Sequence, residues 1–187
     1  MKTVAEHTYE ETILTDNGYI LDLGCRGFEF ADEMTRQGYK VLCIDCDKLE
    51  TDRPYYRYAI VGVLDGPVYV KKNKDPQATR ITKEETAEMV MPMTIKSFSH
   101  MFGMYGKWDL IKMDIEGMEY EVIMSLTEPP AKQLSIEMHL HTGIYSDRQV
   151  MEMENKLLSL GYFPAKHDKT HAHGCGLNYW DSLFILR

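Results

Sequence analysis

Asp22-Leu23-Gly24-Cys25-Arg26-Gly27 puts an acid and two glycines into one tight turn, and Asp45 and Cys46 follow downstream. Asp114-Ile115-Glu116-Gly117 sets two carboxylates beside another glycine. His139 and His141, then His171 and His173, form two His-x-His pairs, with Glu137 just ahead of the first. A glycine turn lets backbone N–H groups come close to a ligand, but dinucleotide, nucleotide and S-adenosylmethionine sites all use one. The acids discriminate between them. A carboxylate at Asp22 repels a pyrophosphate lying on the turn. S-adenosylmethionine has no phosphate and carries an ammonium and a sulfonium, so acids facing it are favourable, and Asp45 is placed to accept both ribose hydroxyls. The cofactor-binding set read from the sequence is Asp22, Gly24, Cys25, Arg26, Gly27, Asp45, Cys46 and Asp114, with S-adenosyl-L-methionine as ligand. The alternative is an NAD-type oxidoreductase on the same topology, against which Asp22 speaks.

The elements that must position these residues follow from periodicity. Residues 19–23 are a short apolar run, and residues 28–37 carry Phe30, Ala31 and Met34 on one helical stripe. Gly38 stands where a left-handed C-cap belongs. Residues 40–44 are apolar and β-branched before Asp45, so residues 19–47 read as one βαβ unit of a parallel sheet, with the ligand beyond the strands' carboxyl ends. Residues 57–63 read as a third strand, residues 72–88 as a charged loop and residues 97–105 as a short helix; residues 108–113 form a buried strand ending at Asp114, and residues 132–138 another ending at Glu137. Ser146 and Gln149 read as a capping box opening a helix that Gly161 closes. Pro164 marks an edge strand, and residues 182–186 give the last strand. The fold class is α/β: a single doubly wound, Rossmann-like domain over residues 1–187. Residues 1–18 read as a polar lead-in. Residues 66–94 read as an inserted β-hairpin and mobile loop.

Composition bounds the function. A chain of 187 residues with 44% hydrophobic content can build one substantial core. A net charge of −8 argues against a nucleic-acid partner. No apolar run approaches the roughly 20 residues of a membrane span, and the start lacks a signal-peptide core, which reads as cytoplasmic. The four cysteines suit a reducing compartment. Cys43 and Cys46 have CxxC spacing, but in a strand residues three apart sit roughly 10 Å apart on opposite faces, so they cannot chelate together. Nothing in the pattern fixes an oligomeric state.

The ordered combination LDLGCRGFEFA, IDCD, YAIVGVLDGPVYV and WDLIKMDIEGMEYEVI resembles the FkbM family of S-adenosylmethionine-dependent methyltransferases. That resemblance implies a seven-stranded methyltransferase fold and methyl transfer, usually to oxygen, on a sugar, lipid or small metabolite. Cys25 and Arg26 depart from the family's usual small or amide pair in the glycine turn, and the acid closing the second strand, often Glu in the family, is Asp45 here. Arg26 would crowd a sulfonium unless it turns toward Asp22, Asp45 or solvent.

Methyl transfer is an in-line displacement, so catalysis consists of positioning and acceptor activation. A sugar or alcohol hydroxyl has a high pKa and needs a base or a metal. Two sets of residues can supply this. In one, Asp114 or Glu116 orients the acceptor and His139 or His141 takes its proton. In the other, a divalent metal is held by Asp114, Glu137 and His139, with His171 and His173 as further ligands. The implied partner is a small-molecule or saccharide acceptor. A non-catalytic binding module that kept the fold is the remaining alternative.

Overall fold

Lys2–Val4 (β1) and His7–Tyr9 (β2) pair antiparallel, with Val4 opposite His7. The two residues between them, Ala5 and Glu6, both have positive φ, 43° and 69°. Asn-Gly is the usual signature of such a turn, so the sequence carries no hairpin signal here. The segment read as a featureless lead-in is therefore an ordered hairpin, and β2 is buried at every position. A computed structural model of the chain describes residues 1–62, 68–71, 80–82, 89–90, 92–104, 106–139, 145–168, 172–173 and 177–187.

The βαβ unit follows. Tyr19–Leu23 (β3) leads through the glycine turn into Glu29–Arg36 (α1), and Lys40–Asp45 (β4) returns parallel to β3. Phe30, Ala31 and Met34 are buried, as the helical stripe requires; each large side chain so removed from water contributes about 1.5–3 kcal/mol. Tyr56–Tyr58 (β5) adds a parallel edge to β4. It is shorter than the strand expected over residues 57–63, and beyond it Val61 makes only an isolated bridge to Met93. The expected hairpin insertion contains three short strands, Val68–Lys71 (β6), Arg80–Thr82 (β7) and Met89–Val90 (β8), forming a separate antiparallel sheet in the order β7-β6-β8. Apart from β7, most of the loop expected over residues 72–88 lies outside the described residues.

Ile95–Met101 (α2) starts two residues earlier than its apolar pattern suggests because the Thr94 side chain accepts from the Ser97 N–H. Trp108–Met113 (β9) is buried along its whole length. Glu119–Ser125 (α3), Ala131–His139 (β10) and Asp147–Ser159 (α4) continue the alternation, and α4 opens with the expected Ser146–Gln149 capping box. Tyr162–Asp168 (β11), Ala172–His173 (β12) and Leu177–Leu186 (β13) complete the chain.

The main sheet runs β11-β13-β10-β9-β3-β4-β5, with β12 on β13. Neighbours from β10 through β9, β3 and β4 to β5 are parallel, and β13 is antiparallel to both β10 and β11. The chain steps outward from β3 to β5, then returns to the other side of β3 with β9. That reversal opens a crevice at the carboxyl ends of β3, β4 and β9.

Candidate functional site

A cleft of ≈ 940 Å³ occupies this crevice, within the range of small-ligand sites. Its walls include the glycine turn from Gly24 to Gly27, Asp45 and Cys46 after β4, Asp114 to Glu116 after β9, Glu137 on β10, and Ala5 to His7 from the hairpin. Gly24 (φ 81°) is needed here: a Cβ at this position would lie 1.7 Å from the Asp114 carbonyl oxygen. The glycine turn and the Asp114 loop are thus pressed backbone to backbone.

Asp22, expected to present its charge to the ligand, is 1% exposed and held from behind. Lys112 Nζ lies 3.2 Å from Asp22 Oδ1 and 3.3 Å from Asp114 Oδ2, and donates to the Gly24 carbonyl at 2.5 Å. Cys43 Sγ donates to Asp22 Oδ2 at 3.7 Å. Burial raises the Asp22 pKa against the pull of Lys112. Burial lowers that of Lys112, but the attraction of Asp22 and Asp114 outweighs it and holds the lysine firmly protonated. Lys112 therefore ties the two acidic motifs together from beneath. Sequence reading passed over Lys112; the signal available for it is a charged residue inside the apolar run Leu110-Ile111-Lys112-Met113.

Arg26 turns away from the centre of the cleft. Its Nη1 lies 3.2 Å from Asp47 Oδ2, so its partner is neither Asp22 nor Asp45. Asp45 is 8% exposed and accepts from the Asp47 N–H at 2.8 Å. Its pKa is pushed up to about 6, chiefly by burial; the Asp47 N–H opposes the rise and the Asp47 charge adds to it. Burial and the neighbouring acids push the Cys46 thiol up to about 12, which leaves it inert as a nucleophile. Cys25 and Cys43 pack with Phe28 and Ala31 in a small apolar cluster.

The Asp114–Gly117 loop is held by Glu119, which is fully buried. Its carboxylate accepts from the Ile115 and Gly117 N–H groups, each at 3.0 Å, and from the Tyr145 hydroxyl at 3.1 Å. Glu116 within this loop has φ 51°, a strained conformation for a non-glycine residue. Glu119 thus acts on the loop as well as on the start of α3.

Register brings Asp114 and Glu137 together. Ile136 on β10 pairs with Met113 on β9, which sets Glu137 beside Asp114, and Glu137 itself pairs across with Asp181 on β13. The hairpin adds His7, 4% exposed, whose Nε2 lies 3.9 Å from Asp114 Oδ2 and whose Nδ1 lies 3.9 Å from Asp181 Oδ1. His7, Asp114 and Glu137 each offer a ligand atom, and these atoms lie within 4.8 Å of one another. Sequence reading joined Asp114 and Glu137 to a different histidine. His139 ends β10 and His173 ends β12, but the side chains of both, together with His141 and His171, lie outside the described residues. The clustering of His7 rests on contacts between distant parts of the chain, which no local pattern announces.

The cleft fits S-adenosylmethionine by the chemistry of its groups. Asp45 and Asp47 line it after β4, apolar Ala59, Ile60 and Val61 offer a surface for a base, and Arg26, the cation on the turn, is engaged by Asp47. Over Gly27 the space holds the tip of the Glu29 side chain, so a bound carboxylate there displaces a flexible group and no backbone.

Residues 47–164, more than half of the chain, match the model of the methyltransferase FkbM domain. No curated protein matches this sequence significantly. Among solved structures, the chain is similar to a TehB-like SAM-dependent methyltransferase from Corynebacterium glutamicum, with 13% identity, a TM-score of 0.51 and coverage of 95% of this chain and 84% of the other. It also matches the 1,6-didemethyltoxoflavin-N1-methyltransferase of Burkholderia thailandensis with bound S-adenosylhomocysteine, at 15% identity, a TM-score of 0.44 and coverage of 91% and 71%. The first of these likenesses concerns the fold, which is the Rossmann-like fold of S-adenosylmethionine-dependent methyltransferases. With that fold, and with a family match that takes in the Asp114–Glu119 motif and β10 beyond it, this chain belongs to the FkbM methyltransferase family.

Proposed function

We propose that this protein transfers a methyl group from S-adenosylmethionine to a hydroxyl of a small acceptor, a sugar, lipid or small metabolite. The observation that carries the reading is a single cleft with two chemically distinct ends. Asp45 and Asp47 stand at one end, and His7, Asp114 and Glu137 at the other.

S-adenosylmethionine, when bound, supplies an electrophilic methyl group on a sulfonium sulfur. Asp45 accepts the ribose hydroxyls, and the backbone N–H groups of the glycine turn meet the methionyl carboxylate. Asp114 and Glu137 flank the acceptor, and one of them accepts from its hydroxyl and aims the oxygen at the methyl carbon, so the barrier falls through alignment. Glu116, half-buried on the loop beside them, receives the departing proton and passes it to water. A divalent cation held by His7, Asp114 and Glu137 would supply Lewis acidity toward that hydroxyl.

Calorimetry with S-adenosylhomocysteine and with NAD tests the donor. S-adenosylhomocysteine binds in the expected outcome, and Asp45→Ala weakens it at least about tenfold, the loss of roughly one charge-assisted hydrogen bond. Binding of NAD alone overturns the reading in favour of an oxidoreductase. An acceptor screen by release of S-adenosylhomocysteine, with the product's methylated atom assigned by NMR, then tests oxygen as the target. A protein that binds the cofactor and turns over no hydroxyl compound is the binding-module alternative.

A further inference from the structure

We infer that His7, Asp114 and Glu137 hold one first-row transition-metal dication, manganese or zinc ahead of magnesium or calcium, and that Asp181 orients His7 for it. The three side chains come from β2, the end of β9 and β10, and their ligand atoms lie within 4.8 Å of one another. Ligands around one such ion sit roughly 2.0–2.2 Å from it. Modest side-chain rotations close the gap, and Asp114, with its side chain 27% exposed, has room for one.

The imidazole decides the class of ion. Magnesium and calcium favour sites built wholly from oxygen, whereas an imidazole joined to carboxylates suits the transition metals. Metal-binding histidines also place their second ring nitrogen against a carboxylate or carbonyl, which fixes the tautomer and raises basicity. Asp181 stands on that side of the ring: it is 3% exposed, its Oδ1 is 3.9 Å from His7 Nδ1, so a small shift of the imidazole brings the two within hydrogen-bond reach, and Ser135 Oγ donates to it at 3.4 Å. The edge of the Phe30 ring packs against His7, with ring centroids 5.8 Å apart, which limits rotation of the imidazole. Lys112 Nζ, 3.3 Å from Asp114 Oδ2, moderates the affinity for a cation. The surrounding wall favours positive charge, since Asp22, Asp45 and Asp47 stand along it with Lys112 and Arg26 as the neighbouring cations.

Metal binding here stands on this geometry, and only its catalytic consequence rests on the proposed methyl transfer. The test uses full-length protein purified without an affinity tag, titrated calorimetrically with manganese chloride and zinc chloride, and in parallel with S-adenosylhomocysteine. One equivalent binds in the expected outcome. His7→Ala and Glu137→Gln each weaken the metal by more than about 100-fold, and Asp181→Asn weakens it about 10–100-fold. All three variants retain S-adenosylhomocysteine binding and melt cooperatively. If His7→Ala fails to fold, His7→Gln, closer in size, replaces it in the same comparison. No stoichiometric metal in the unmodified protein, or unchanged affinity once His7 is replaced, overturns the site. Metal binding without S-adenosylhomocysteine binding upholds the site and defeats the methyltransfer reading; the reverse pattern defeats the site alone.

Discussion

Lys112 is the residue on which the two acidic motifs depend. It is 4% exposed and within 3.3 Å of two carboxylates. Removing one partner of a buried pair leaves an uncompensated charge and costs about 3–5 kcal/mol. Lys112→Met should therefore lower unfolding stability by that amount in guanidinium denaturation, and Lys112→Met with Asp22→Asn should recover part of the loss because no buried charge is then left alone. A cost below about 1 kcal/mol for the single variant would mean that the pair contributes little. Asp45 and Asp114 were legible in the sequence because they close apolar runs, and Asp22 because it adjoins the glycine turn. Their partners were less so. Arg26 pairs with Asp47, and His7 comes from a segment with no pattern at all, because side-chain partners are chosen by tertiary proximity.

At the scale of elements, the βαβ unit was readable because its periodicity switches cleanly from strand to helix to strand and Gly38 (φ 95°) ends the helix. The β1–β2 hairpin was not, since its tight turn is Ala5-Glu6. The boundaries of α2 and β5 moved for local reasons, a Thr94 cap in one case and loss of ladder pairing after Tyr58 in the other. The loop from Asp114 to Gly117 owes its shape to Glu119. In Glu119→Gln, one oxygen becomes an NH₂ group that cannot accept from a backbone N–H, and an unmet buried donor costs about 1–3 kcal/mol. The expected result is that loss in stability together with faster hydrogen exchange at the Ile115 and Gly117 amides. Tyr145→Phe, which removes only the hydroxyl, should cost less, about 1 kcal/mol. Unchanged exchange at both amides in Glu119→Gln would show that the loop is held by other contacts.

For the molecule as a whole, Asp45 links the fold to pH. Its pKa is raised from 3.8 to about 6, so the folded state binds the proton more tightly than the unfolded chain does. Stability due to this group is therefore highest below about pH 4, falls as pH rises through the interval to about 6, and stays lower above it. Asp45→Asn should remove that dependence and stabilise the apo fold at pH 8 by about 1–3 kcal/mol relative to its effect at pH 4. Ligand binding should run the opposite way. Ribose hydroxyls donate to the ionised carboxylate, so S-adenosylhomocysteine affinity should decline as pH drops below about 6. Both trends are measurable on one preparation, and coincident pH profiles for the parent and Asp45→Asn would remove Asp45 from the account. The doubly wound, Rossmann-like fold class was legible in the sequence; the antiparallel insertion of β13 between β10 and β11 carries no local mark, since strand direction depends on how the chain returns to the sheet.

The hairpin's attachment also bears on how the site comes into being. Glu10 N–H donates to Gln133 Oε1 across 123 residues of sequence, and Lys166 Nζ donates to Thr8 Oγ1 across 158. Contacts between such remote positions form late, because a long loop must close before they return any free energy. The glycine turn and Asp45 belong instead to a compact local unit that can assemble early. The hairpin's contacts are therefore expected to form after those of the βαβ unit, and pulsed hydrogen exchange during refolding should show the Glu10 amide protected later than the amides of β3 and β4.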